Sequence, residues 1–191
     1  EVNHRARNTL AIVQAILRLT RAATPDEFAR LVEGRIAALA RAQSLLAAER
    51  WAGASLVTLI TDELAPFGGV RDGRITLNGP PFRIRAEAVQ ALGMVFHELA
   101  TNAAKHGALS VPDGRVAVAW IVDQGEGALH LRWTETGGPA PGLPTRRGVG
   151  SRVIEATVTG QLGGSVDRRW PEEGLICDIV LPLDQTRAGP G

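Results

Sequence analysis

Apolar side chains recur every three to four residues over positions 2–22. Ala6, Leu10, Val13 and Leu17 fall on one side of a helix, with Ile12, Ile16 and Leu19 beside them. Their arc of about 180° is wider than one partner helix needs. His4, Arg7, Ala11, Gln14 and Arg18 fill the rest of the wheel. The segment TPDE then signals a helix start: Thr24 as N-cap, Pro25 at the first helical position and Glu27 at the third make a capping box. A second helix follows to about Arg50, with Phe28, Leu31, Val32, Ile36, Leu39, Leu45 and Leu46 on its apolar side. A lone helical hairpin of this size buries too little surface to be stable. The wide arc therefore predicts a homodimer in which two hairpins form a four-helix bundle.

Past the linker WAGAS the pattern changes. Ser55 is placed to cap a third helix through Phe67, Asp72-Gly73 reads as a turn, and RITLNG and FRIR read as short strands. A long amphipathic helix is expected over 86–106. RVAVAWIVD and ALHLRWTET alternate in polarity around the turn QGEG and predict a hairpin. Residues 137–150 are rich in Gly and Pro; VGSRVIEATVTGQL is a helix stopped by Gly163-Gly164. GSVDRRWPEEGLICDIVLPL predicts a second hairpin, and DQTRAGPG is expected to fray. The whole reads as an α+β chain: a helical hairpin over 1–52, then a domain over 53–191 whose helices cover one face of a mixed, largely antiparallel sheet.

Composition narrows the class. Of 191 residues, 45% are apolar and 21% charged, which is the balance of an ordered globular chain. A net charge of +1 gives no electrostatic case for nucleic acid. No apolar run approaches the roughly 18 residues of a membrane span, and no signal peptide opens the chain. Cys177 is alone, so no internal disulfide forms, and a cytoplasmic setting is the expectation. Because residue 1 already lies in a helical pattern, the chain is expected to continue a longer protein.

Three segments carry candidate chemistry. In HELATNAAKHGALS, from His97 to Ser110, the residues Glu98, Asn102 and Lys105 lie at i, i+4 and i+7 along the edge of the stripe made by Leu92, Val95, Phe96, Leu99 and Ala103. Carboxylate and amide oxygens suit Mg²⁺, and an ammonium neutralises phosphate. His106 lies about 40° from Asn102 on the wheel, close enough to stack on a base, whereas His97 points roughly 140° away. In LRWTETGGP, the alternation Leu131, Trp133, Glu135 aims a carboxylate inward, where it needs a donor such as the amino group of adenine. In RRGVGSR, Gly148 and Gly150 precede a helix and let backbone N–H groups approach phosphate. Each feature alone has an ordinary explanation: a solvated helix edge, a strand-end Glu, a glycine turn.

Read in order, the three segments resemble the N, G1 and G2 boxes of the Bergerat ATP-binding fold, shared by histidine kinases, DNA gyrase and MutL. In detail they resemble the HWE family of histidine kinases, marked by a His opening the N box, here His97, and a W-x-E in the G1 box, here Trp133 and Glu135. The opening EVNHRARNTLAIVQAI is similar to the family's ELNHRxKNxL-like segment, with His4 at the phosphoacceptor position. The resemblance runs from Glu1 to Leu183.

It implies an ATP- and Mg²⁺-dependent kinase that phosphorylates His4 and passes the phosphoryl group to an aspartate on the receiver domain of a response regulator. It also implies a sensor domain upstream of this chain. Asn102 matches the Mg²⁺ ligand, Glu98 a second metal position or a residue orienting the nucleophile, Lys105 a phosphate contact and His106 the ring packed on adenine. Glu135 matches the adenine-reading carboxylate, and Gly137, Gly148 and Gly150 the glycines around the nucleotide. Arg5 follows His4 where many such kinases carry an acid, so Glu1 and Asn8, at i−3 and i+4, are the expected orienting residues. The segment PAPGLPTRR between the G1 and G2 boxes is short, and either Arg146 or Arg147 is within reach of the phosphates, the alternative being that both are simply solvated. Trp133 is expected to pack beneath the nucleotide, and His97 to make a structural hydrogen bond. Two other readings keep parts of the pattern: a Bergerat ATPase that is not a kinase, and a non-catalytic dimeric phosphotransfer scaffold.

Overall fold

The computed structural model describes residues 12–14, 16–18, 20–68, 73–139 and 149–189. Residues 12–14 and 16–18 are helical; the start of the predicted first helix and Asp72 lie outside the described residues. The chain continues through α1 (Pro25–Ala48), β1 (Ala54–Ser55), α2 (Leu56–Leu64) with a 3-10 turn at Ala65–Phe67, β2 (Ile75–Asn78), β3 (Arg83–Ile84) and α3 (Ala86–Lys105). Then come β4 (Arg115–Asp123), β5 (Ala128–Thr136), α4 (Val149–Glu155) prolonged as a π-helical stretch over Ala156–Gln161, β6 (Ser165–Arg169), β7 (Ile176–Pro182) and α5 (Leu183–Thr186).

Local signals set these boundaries. The Thr24 hydroxyl accepts from the Glu27 N–H, and the Glu27 carboxylate turns back to accept from the Ala23 N–H. That is a capping box whose return bond falls one residue ahead of the cap. The Ser55 hydroxyl accepts from the Thr58 N–H and starts α2. Gly163, at φ +64, follows the helical stretch that began as α4.

The main sheet has the order β2-β4-β5-β7-β6; β2 and β4 are parallel and every other pair is antiparallel. Strands β1 and β3 form a separate antiparallel pair. One sheet face is apolar: Val116, Val118 and Trp120 of β4, Leu129, Leu131 and Trp133 of β5, and Cys177, Ile179 and Leu181 of β7 are buried in one core with Leu92, Val95, Phe96 and Leu99 of α3. Each such side chain contributes about 1.5–3 kcal/mol on burial, so the helices cover that face alone. The opposite face carries Arg132, which pairs with Asp178 at 2.6 Å; Asp178 also takes Arg169. Cys177 is fully buried, and burial pushes its thiol up to about 12.

Helix α1 joins the same core through Ala42 and Leu46. Ile16 packs on Met94 of α3 and Val153 of α4, with Ile12 and Val32 around them. The wide apolar arc is thus partly covered by the sheet-bearing part of the chain, while Leu17 and Ile36 stay 45% and 42% exposed. Among the described residues, no helix is long and apolar enough to cross a membrane.

The C-terminal segment departs from the sequence expectation. Rather than fraying after Leu183, it forms α5 and docks: Thr186 is fully buried, its carbonyl accepts from the Arg85 N–H, and the Ala188 N–H donates to the Arg83 carbonyl. The polar-looking segment is held because the edge of β3 needed hydrogen-bond partners. Residues 190 and 191 lie outside the described residues.

Candidate functional site

A cavity of about 500 Å³ opens between the C-terminal half of α3, the end of β5, the start of α4 and the N-terminal half of α1. Asn102, Lys105, His106, Glu135, Gly138 and Gly150 all line it, together with Glu98. Helical spacing puts Glu98, Asn102 and Lys105 along one edge of α3, as the sequence implies. Asn102 is half-buried; Lys105 and His106, in the last turn, are exposed.

At the strand end, Glu135 is 4% exposed and points inward from β5. The indole N–H of Trp133, on the same face two residues earlier, donates to its Oε1 at 3.0 Å. The backbone N–H of Ala108 donates to Oε2 at 2.8 Å. Burial holds the Glu135 carboxyl above its ordinary range, and these two bonds offset only part of that rise. One bond to each oxygen leaves lone pairs for a further donor. Backbone crowds closely here: a Cβ on Gly107 would lie 2.0 Å from Glu135 Oε2, and one on Gly138 2.9 Å from Ala108. Gly137 takes φ +68 and turns the chain, so that Gly138 rather than Gly137 lines the cavity.

At the other end, Glu98 is 4% exposed and both its oxygens are engaged by Arg35 of α1. Arg35 Nε–H donates to Oε1 at 2.7 Å and Nη2 to Oε2 at 3.1 Å. Gly150 abuts the same groups: a Cβ there would lie 2.6 Å from Glu98 Oε2 and 3.2 Å from Asn102 Oδ1. The start of α4 is therefore pressed against the carboxylate and amide of α3, with space that only glycine leaves.

His97 faces away from the cavity's Asn102 edge, as its wheel position predicts, into the junction of α1, α2 and α3. The expected structural hydrogen bond is absent at Nδ1, which has no partner and lies 3.9 Å from Glu63 Oε2. Its ring packs on Phe67, and α1 approaches so closely that a Cβ on Gly34 would sit 3.2 Å from Nε2. Burial pushes His97 down to about 4, so it is neutral near pH 7. Glu63 is fully buried and paired with Arg41 at 2.5 Å; burial, opposed by Arg41, moves its carboxyl up to about 7.

His4, Glu1, Asn8, Gly148, Arg146 and Arg147 lie outside the described residues. Three features of the site were not read from sequence. The bond from Trp133 to Glu135 was signalled by their i, i+2 spacing on one strand face. Gly138 was visible only as half of a GG pair. Arg35 had no local signal, because its partner is 63 residues away. Among the described residues, Asp123, Glu126 and His130 also lie close together at the β4–β5 turn, where Asp123 accepts from the N–H groups of Gly125 and Glu126.

A mixed sheet covered on one face by helices, with an Asn-bearing helix and an inward strand carboxylate on one cleft, is a Bergerat-type α/β sandwich preceded by a helical region. Residues 1–81 match the family model described as HWE histidine kinase. The chain is 42% identical over 190 residues to a blue-light-activated histidine kinase of Rhizobium johnstonii, a match covering 100% of this chain and 53% of that protein. The chain thus spans about half the length of that relative. Among solved structures it resembles the Erythrobacter litoralis EL346 blue-light activated histidine kinase, with TM-score 0.69 and 24% identity over 96% of this chain and 58% of the other. The histidine kinase domain of that protein matches with TM-score 0.62 and 18% identity over 95% of each chain. The chain belongs to the HWE histidine kinase family.

Proposed function

We propose that this chain is the kinase portion of an ATP-dependent protein-histidine kinase that phosphorylates His4 and relays the phosphoryl group to an aspartate of a response regulator receiver domain. In this reading residues 1–52 are the dimerisation and phosphotransfer hairpin, and 53–191 the ATP-binding domain. The observation that carries it is that Asn102 and Glu135, predicted from separate motifs, line one cavity. Exposed Leu17 and Ile36 on the helical segment support pairing of two hairpins.

The roles follow from the ends of the cavity. Glu135, anchored by Trp133 and Ala108, offers its remaining lone pairs to the adenine amino group. His106 packs on the base, and Lys105 neutralises phosphate charge. Asn102 Oδ1 is a hard oxygen that would suit Mg²⁺, while Glu98, both of whose oxygens take the Arg35 fork, fits the other role, orienting the nucleophile. When bound, the ion supplies charge neutralisation on the phosphates. Neutral His4 attacks the γ-phosphorus; the N–P bond forms as the bond to the departing ADP oxygen breaks, and the ring proton is released to a base, while Glu1 or Asn8, at i−3 and i+4 of the helix expected from sequence, holds the imidazole. The protein's contribution is position and charge complementarity.

Labelling with [γ-³²P]ATP tests this. Acid-labile, base-stable label that disappears in His4→Ala is the expected result. Nucleotide binding without any label identifies a non-kinase ATPase. No binding at millimolar ATP identifies a scaffold.

A further inference from the structure

Arg35 stands in the middle of α1 with 1% of its surface exposed, an environment that guanidinium groups occupy only when their donors are matched. Its fork meets both oxygens of Glu98, and Nη1 donates to the Thr20 hydroxyl at 2.5 Å. Thr20 in turn donates to the Ile16 carbonyl, at the end of the first helical segment. Both limbs of the N-terminal helical region therefore converge on one carboxylate of the cavity wall.

A planar fork on both oxygens fixes the plane of a carboxylate, not only its charge. The orientation of Glu98 is consequently set by α1 and not by α3 alone. Gly150 closes the opposite side, against Glu98 Oε2 and the Asn102 amide. Six residues after Arg35, Arg41 pairs with buried Glu63 of α2, and Gly34 lets α1 lie against His97. These contacts hold α1 in one register, so the fork meets Glu98 in only one docked arrangement. The Glu135 carboxylate takes its two bonds from Trp133 and Ala108, neither of them on α1, so the strand end of the cavity is built without that helix.

We propose that Arg35 is a positioning residue for the phosphoryl transfer, acting through Glu98: the carboxylate holds its working orientation beside Asn102 only while α1 is docked. The proposal rests on the kinase reading above and deepens it. The hairpin that carries the phosphoacceptor also completes the cleft, so nucleotide binds with or without docked α1, whereas transfer requires it.

The test compares Arg35→Met, Arg35→Lys, Glu98→Gln and the Arg35→Met/Glu98→Gln double variant in this chain. The readouts are the autophosphorylation rate at saturating ATP, the affinity for a non-hydrolysable ATP analogue with Mg²⁺, and thermal unfolding. Arg35→Met is expected to slow labelling about tenfold or more while nucleotide affinity changes less than about threefold. Arg35→Lys restores part of the rate, because it keeps the charge but not the fork. The double variant is no slower than Glu98→Gln, since both changes remove one device. It also avoids the buried unpaired carboxylate of Arg35→Met, so it decides the matter should that single variant unfold. A wild-type or faster rate in Arg35→Met, additive losses in the double variant, or parallel loss of affinity and rate overturns the proposal. Absence of label in the wild-type chain overturns the kinase reading instead.

Discussion

The indole N–H of Trp133 donates to the Glu135 carboxylate at 3.0 Å, from two residues earlier on the same strand face. The W-x-E pattern is thereby a single device: the ring fills the core beneath the cavity, and its one polar atom orients the acid above it. Trp133→Phe keeps most of the packing and removes the donor. A hydrogen bond to a charged group is worth about 1.5–3 kcal/mol, so affinity for an ATP analogue should fall roughly tenfold. Calorimetric titration measures this, and an unchanged affinity would mean that Ala108 alone holds Glu135.

Gly150→Ala tests the close approach of α4 to the α3 carboxylate. The alanine Cβ would sit 2.6 Å from Glu98 Oε2, and Arg35 leaves that carboxylate nowhere to retreat. We expect a denaturation midpoint lowered by the clash and, in the folded variant, a loss of Mg²⁺-dependent nucleotide binding of about tenfold or more. Titration with and without Mg²⁺ reads the difference.

Glu63 gives a pH dependence of defined sign. Its carboxyl is raised from 4.5 to about 7, chiefly by burial. Across that window the folded chain keeps a proton that the unfolded chain has released, so the contribution of Glu63 to stability falls as pH rises. Glu63→Gln abolishes the titration. Relative to wild type, the variant should gain on the order of 3 kcal/mol between pH 4.5 and 7.5 in urea denaturation. A difference that does not vary with pH would mean that Arg41 keeps the carboxylate charged throughout.

Much of this architecture was legible in the chain. Thr24 and Ser55 marked helix starts, alternation in β4 and β5 gave the hairpin and the inward aim of Glu135, and the spacing of Glu98, Asn102 and Lys105 gave their common edge. These are short-range signals, fixed by helix and strand periods. What stayed hidden depends on distant partners. Arg35 reads as an ordinary solvated position on α1 until α3 supplies Glu98. The expected hydrogen bond is missing at His97 Nδ1 because the acceptor beside it, Glu63 Oε2, lies 3.9 Å away and is taken by Arg41. The polar sequence after Leu183 looked free to fray, but β3 lacked a neighbour on one edge and recruited it.

Thr186 offers a test of that docking. It is fully buried, and its hydroxyl has no hydrogen-bond partner. Thr186→Val preserves shape and removes the unsatisfied group, so we expect stability to rise by about 1 kcal/mol. Deleting the segment from Leu183 onward should instead destabilise the chain by uncovering β3. Denaturant midpoints for the two variants are expected to move in opposite directions.

The sealed position of Cys177 has a practical use. Its thiol is inaccessible and held far from the thiolate form, so it will stay silent toward maleimide dyes at neutral pH. A cysteine introduced on the exposed side of α1 and another near the sheet edge would then accept a fluorophore pair without background labelling. Energy transfer between them would follow, in real time, whether the hairpin stays seated on the cleft as nucleotide arrives.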